Sequence, residues 1–219
     1  MTPPPATSDS PRQPATHASP QQLAGPDQPA CVREALAADQ RKPASVARSA
    51  VAPSQSARVR HPICPVFDDR SRVLLLGTMP SPASRQVGFY YGHPRNRFWT
   101  VLARLFGEPV PATVDVRRDL ALRHGIALWD VLAECTIRGA SDASIGECVP
   151  NDIAGLLKKA PIEAVFCTGA KAAQLYSRYC EPSTEIEAIR LPSTSPANAS
   201  ASLEDLVEAY RRILPYCRS

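Results

Sequence analysis

Val73-Leu74-Leu75-Leu76-Gly77-Thr78-Met79-Pro80 opens with four consecutive apolar residues and closes on a glycine and a proline. An unbroken apolar run bounded by turn residues reads as a strand covered on both faces, which is the habit of a parallel sheet. The stretch after it, to Trp99, is long for a connection and falls at the carboxyl end of that strand, where open α/β sheets bind their ligands. It holds Arg85, Arg95 and Arg97, no acidic residue, and the aromatics Phe89, Tyr90, Tyr91, Phe98 and Trp99. Arginines interleaved with aromatics suit phosphate and base contacts, although the aromatics would serve a core equally well.

Outward from this stretch the chain alternates between two periods. Phe98, Val101, Leu102 and Leu105 fall at i, i+3, i+4 and i+7, a helix that Gly107 should end. A helix from about Val116 to His124 and a strand from Ile126 to Val131 come next. Ala133 to Pro150, with Ser141, Asp142 and Ser144, reads as a polar loop. Asn151 is expected to cap a helix through Leu157 that Pro161 stops. Ala164 to Cys167 is the third strand, Gly169 opens a helix to about Tyr179, and Ile186 to Leu191 is the fourth strand. Ser202 and Asp205 have capping-box spacing before a last helix. Strands alternating with helices predict an α/β fold, a three-layer α/β/α arrangement on a central four-stranded parallel sheet. Right-handed crossovers then put the loop after Leu191, from Pro192 to Ser200, on the same edge as the first.

Composition divides the 219 residues unevenly. Residues 1–58 hold ten of the 23 prolines and no Phe, Trp or Tyr, too little apolar material to offset backbone entropy, and are expected to be a disordered tail. Residues 59–219 have ordinary globular composition, enough for one substantial core, and are the expected folded domain. The net charge of +4 is shared between the two parts and argues only weakly for nucleic acid. No apolar run is long enough to span a bilayer, and the absence of a signal-like amino terminus points to the cytoplasm. Seven scattered cysteines without a Cys-x-x-Cys pair are expected to be free thiols.

Taken together, the two loops resemble those of the uracil-DNA glycosylase superfamily, over a span from about Pro62 to the C-terminus. Gly77-Thr78-Met79-Pro80 stands in the place of its first motif and Ser193-Thr194-Ser195-Pro196 in the place of its second. Tyr90-Tyr91-Gly92-His93-Pro94-Arg95-Asn96-Arg97-Phe98-Trp99, with Leu191 to Asn198, is most similar to the sixth family, the hypoxanthine-DNA (deoxyinosine) glycosylases. The resemblance implies a monofunctional enzyme that flips a deaminated base out of double- or single-stranded DNA and hydrolyses its N-glycosidic bond, as a monomer and without metal or cofactor. Two departures stand out: Met79 replaces the first-motif Asp or Asn of most of the superfamily, and Ser193 replaces the second-motif His or Asn. Mismatch-specific uracil/thymine glycosylases share the His-Pro-x-Asn-Arg-Phe-Trp segment and are the alternative, with a catalytically inactive DNA-binding module behind them.

Under this resemblance Asn96 is the catalytic amide that orients the attacking water. The base pocket is expected from Met79, Tyr90, Tyr91, Asp130, Ser193 and Thr194. Of the two tyrosines, one would lie on the flipped base and the other under the loop, and the sequence does not choose between them. Asp130, at the end of the second strand, is placed to accept the N1–H of hypoxanthine, or alternatively to cap its own loop. Ser81, Ser84, Arg85, Arg95, Ser195 and Asn198 are the candidate DNA contacts.

Overall fold

The computed structural model describes residues 57–137 and 144–217. Four parallel strands form the central sheet: β2 (Val73–Gly77), β3 (Ile126–Asp130), β6 (Ala164–Thr168) and β7 (Ile189–Leu191), in the order β3-β2-β6-β7. Every residue of β2 is buried. Because successive strand side chains point to opposite faces, Val73 and Leu75 enter one apolar cluster while Leu74 and Leu76 enter another.

The first cluster is closed by α2 (Phe98–Phe106), α3 (Val114–Arg123) and α7 (Leu203–Tyr210), which contribute Phe98, Leu102, Leu120 and Tyr210. The second is closed by α4 (Ile153–Leu157) and α5 (Ala170–Tyr179), through Ile153, Leu156, Leu175 and Tyr176, and the short α6 (Glu181–Thr184) follows α5. This is the three-layer α/β/α architecture on a four-stranded parallel sheet. Helix ends follow local chemistry: Gly107 ends α2 at φ +67°, where a Cβ would be strained. At α7 the Ser202 hydroxyl accepts the Asp205 N–H at 3.0 Å while the Asp205 carboxylate accepts the Ser202 N–H at 2.9 Å, a complete capping box. The chain continues as a 3-10 helix, Arg211–Tyr216.

The structure departs from the sequence reading in five places. The segment read as a polar loop contains β4 (Leu132–Ile137) and β5 (Cys148–Pro150), which join β1 (Ala57–Arg60) in an antiparallel sheet of order β1-β4-β5. A register shift between Leu132 and Glu134 breaks the period-two pattern that would have announced β4. Ser141 and Asp142 lie outside the described residues. β1 begins at Ala57, two residues inside the stretch read as tail, and the rest of that stretch lies outside the described residues.

A six-residue helix, α1 (Pro82–Val87), stands inside the long loop; Ser81 caps it, and Gly88 ends it at φ +72°. Asp152, not Asn151, caps α4, its carboxylate accepting the Gly155 N–H at 2.8 Å. Asn151 instead donates from Nδ2 to the Asp130 carbonyl at 2.9 Å. Lastly, Cys64 is disulfide-bonded, whereas Cys148, Cys167, Cys180 and Cys217 are free thiols; sequence spacing carries no information on which thiols meet across a fold.

Candidate active site

The carboxyl ends of all four parallel strands open onto one cleft of about 760 Å³. That lies within the range of about 300–1,000 Å³ usual for small-molecule pockets, room enough for a purine. Gly77 to Ser81 form one wall, Asp130 and Tyr91 the floor, Gly169 and Ala170 the third side, and the loop after β7 the fourth.

Register explains the floor. Gly77 and Asp130 are paired across β2 and β3, and a Cβ on Gly77 would sit 2.2 Å from Asp130 Oδ1 and 3.7 Å from the Tyr91 hydroxyl. Glycine is therefore what allows the carboxylate to lie against the end of β2. Asp130 is buried, and its Oδ2 lies 2.8 Å from Nε2 of His61, also buried. His61 has no place among the residues singled out from the sequence.

The two tyrosines separate. Tyr90 is buried beneath the loop, donating its hydroxyl to the carbonyl of Cys64 at 3.0 Å, while its own carbonyl receives the Trp99 indole N–H at 3.1 Å. Tyr91 adopts a left-handed backbone at φ +53°, a conformation that a non-glycine residue holds only when its surroundings fix it. Its ring stacks on Phe98 at 3.6 Å between centroids and 12° between planes. Its hydroxyl lies 3.1 Å from Thr168 Oγ1, which donates to the Leu76 carbonyl at 3.2 Å. The threonine proton is thus committed, and Tyr91 is the donor in their bond. Burial raises the phenols of Tyr90 and Tyr91 well above the ordinary tyrosine range, and the negative charge of Asp130 adds to it.

Asn96 lines the cleft between this floor and the opposite loop. Its Oδ1 accepts the Phe98 N–H at 2.9 Å and its backbone N–H is given to the His93 carbonyl at 2.8 Å. This local turn fixes the amide just before α2 and leaves the second lone pair of Oδ1 for another donor. Met79 also lines the cleft and packs against the second apolar cluster.

Around the rim the candidate contacts differ in kind. Ser84 is buried and its hydroxyl accepts the Gly92 N–H at 3.0 Å, so it ties the long loop together instead of facing out. Ser81 is more exposed, and Arg85 reaches back to the Pro80 carbonyl at 2.8 Å. Arg95 is exposed and stands off the cleft lining. In the loop after β7, Ser195 N–H donates to Ser193 Oγ at 3.2 Å, and Asn198 Nδ2 to the Ser193 carbonyl at 2.8 Å. Thr194 is buried and shares a hydrogen bond with Tyr210. Arg97, read in the sequence only as one more cation, clamps this loop: its guanidinium donates to the carbonyls of Asn198, at 2.7 Å, and Ala201, and its backbone N–H to that of Thr194 at 3.1 Å. Among the described residues no group of three His, Cys, Asp or Glu is placed to hold a metal ion, and no helix is long and apolar enough to cross a membrane.

Residues 64–214 match the family model described as the uracil DNA glycosylase superfamily, a span that includes every wall of the cleft. The chain belongs to this superfamily. Its similarity within the superfamily runs to a hypoxanthine DNA glycosylase of Methanosarcina acetivorans, 32% identical over 134 residues that cover 61% of this chain and 84% of the relative. A protein of the same name from Methanosarcina barkeri is 34% identical over 112 residues, 50% of this chain and 71% of the relative. Among solved structures, the NMR structure of a candidate uracil DNA glycosylase from Methanosarcina acetivorans superposes with a TM-score of 0.61 at 28% identity, covering 72% of this chain and 99% of that one. Superfamily membership and the cleft meet at the same four strand ends.

Proposed function

We propose that the chain is a monofunctional DNA glycosylase that releases hypoxanthine from deoxyinosine, leaving an abasic site. The observation that carries the reading is the pairing, in one cleft, of a fixed neutral amide, Asn96, with a buried carboxylate, Asp130. The relatives named hypoxanthine DNA glycosylase support it. A base inside a duplex must be extruded before its glycosidic bond can be reached, and the open face of the cleft receives it. Tyr91, backed by Phe98, supplies a stacking surface. Asp130 accepts the N1–H that distinguishes hypoxanthine from adenine.

Bond cleavage passes through an oxocarbenium-like sugar, as in other glycoside hydrolysis. Such an electrophile needs a positioned water more than a strong base, and Asn96 Oδ1 has a lone pair left to orient one. The water oxygen bonds to C1′ as the C1′–N9 bond breaks, and the electron pair leaves with the purine. The proton that the attacking water sheds is carried to the purine at N7 or N3, with the Ser193 hydroxyl or a second water as its route. Ser81, Arg85 and Ser195 at the rim, with exposed Arg95, hold the phosphates. The substrate is DNA, single- or double-stranded, and the enzyme acts as a monomer in the cytoplasm.

Comparing release from deoxyinosine and deoxyuridine duplexes tests the reading. Hypoxanthine is expected to leave faster, since Met79 offers no polar group where uracil enzymes use one. Faster release of uracil or thymine, especially opposite guanine, would assign the chain to mismatch-specific uracil/thymine glycosylases instead.

A further inference from the structure

His61 comes from the segment between β1 and β2, 69 residues before Asp130, and the fold brings the two side chains together under the cleft. Its own protonation pattern can be read from its partners. The Ile63 N–H points at His61 Nδ1 at 3.2 Å, so Nδ1 is an acceptor and the ring proton sits on Nε2. Nε2–H therefore donates to Asp130 Oδ2 at 2.8 Å. The backbone of the same residue is pinned as well, its N–H bonded to the Ala133 carbonyl at 2.7 Å. Asn151 Nδ2 holds the backbone carbonyl of Asp130 at 2.9 Å.

The other carboxylate oxygen is left over. Oδ1 lies against Gly77, and the Tyr91 hydroxyl gives its proton to Thr168. Among the described residues no fully buried side-chain oxygen lacks a partner and Oδ1 makes no hydrogen bond, so it is open to the cleft that Asp130 lines.

We propose that His61 is a positioning residue for base selection: by donating to Oδ2 it locks the Asp130 carboxylate with Oδ1 turned into the cleft as a pure acceptor. The inference rests on the glycosylase reading above. Its consequence is chemical. Deamination of adenine converts N1 from a lone pair into an N–H, and deamination of cytosine does the same at N3. A fixed acceptor attracts the N–H of the deaminated base and repels the lone pair of the intact one. A carboxyl group carrying a proton could present a donor to adenine and lose that distinction, and a carboxylate free to rotate would hold its acceptor less firmly against the N–H.

The test compares single-turnover release of hypoxanthine, and inhibition by free hypoxanthine and free adenine, in the full-length chain and in His61→Ala, His61→Gln, Asp130→Asn and His61→Ala/Asp130→Asn. Loss of a donor to a buried carboxylate is expected to slow His61→Ala by about tenfold or more and to narrow the preference for hypoxanthine over adenine. His61→Gln, whose amide can donate in place of Nε2–H, should recover most of both. With Asp130→Asn already present, loss of His61 should cost little more. A wild-type ratio of hypoxanthine to adenine inhibition in both His61 variants would overturn the inference, as would equal slowing of the two with that ratio unmoved, which marks a merely structural histidine. Melting curves on each variant separate unfolding from loss of selection. If the unaltered chain releases no hypoxanthine, the glycosylase reading itself fails and takes this inference with it.

Discussion

Asn96 carries two jobs that differ in their energetic signatures. As the acceptor of the Phe98 N–H at 2.9 Å it steadies the entry to α2, and loss of a bond of this kind costs about 1 kcal/mol. In its proposed role of orienting the water it would act only in the transition state, where removing one such group costs about a hundredfold or more in rate. Asn96→Ala is therefore expected to melt a little earlier than the parent while its single-turnover release of hypoxanthine falls by at least about a hundredfold. Near-parental release would remove Asn96 from the chemistry and pass the water to Asp130. Asn96, Asp130 and Tyr91 could be singled out in the sequence because motif and strand-end position point to them. His61 could not, since nothing local marks a histidine whose partner is 69 residues away. The choice between Tyr90 and Tyr91 was also beyond the sequence: adjacent residues with the same side chain are told apart only by the positive φ of the second.

At the scale of elements, the loop after β7 behaves as a shaped body. Asn198 and Ser195 bond back to Ser193, and Arg97 bolts the far end of the loop to the start of α2. A loop braced in this way can enter a duplex and stay formed, at little ordering cost on binding. The double change Ser195→Ala, Asn198→Ala should therefore reduce release from paired DNA more than from single strands, where extrusion is already free. Equal losses on the two substrates would favour direct contact with the base over wedging. The parallel sheet and the helices that cover it were legible because strands such as β2 are apolar on both faces and helices such as α7 carry complete caps. The antiparallel sheet was not: β1 is largely exposed, β5 has three residues, and β4 is bulged, so none of them repeats an apolar residue at every second position for long enough to be seen.

For the molecule as a whole, the question is where the working chain must begin. Composition placed the boundary at residue 58, yet Ala57–Arg60 pairs along β4 from Ile137 to Glu134, with Arg58 bonded to Glu134. The chain then runs straight into His61, whose backbone and side chain are both fixed beside the cleft. β1 is in this sense the arm that delivers His61 to Asp130. A chain starting at Val51 should keep its single-turnover release on a short duplex, because the proline-rich segment before it lacks the apolar residues to build a wall of the pocket. A chain starting at Pro62 loses β1 and His61 together, and should both melt earlier and release hypoxanthine more slowly. Running both chains and the parent in reductant removes the Cys64 disulfide as a difference between them. Weaker DNA binding by the Val51 chain at low salt is compatible with this division, since the removed segment has five Lys/Arg against four Asp/Glu and a small positive excess adds nonspecific attraction that salt screens. A large drop in its turnover with enzyme saturating would instead place part of the catalytic machinery before Val51.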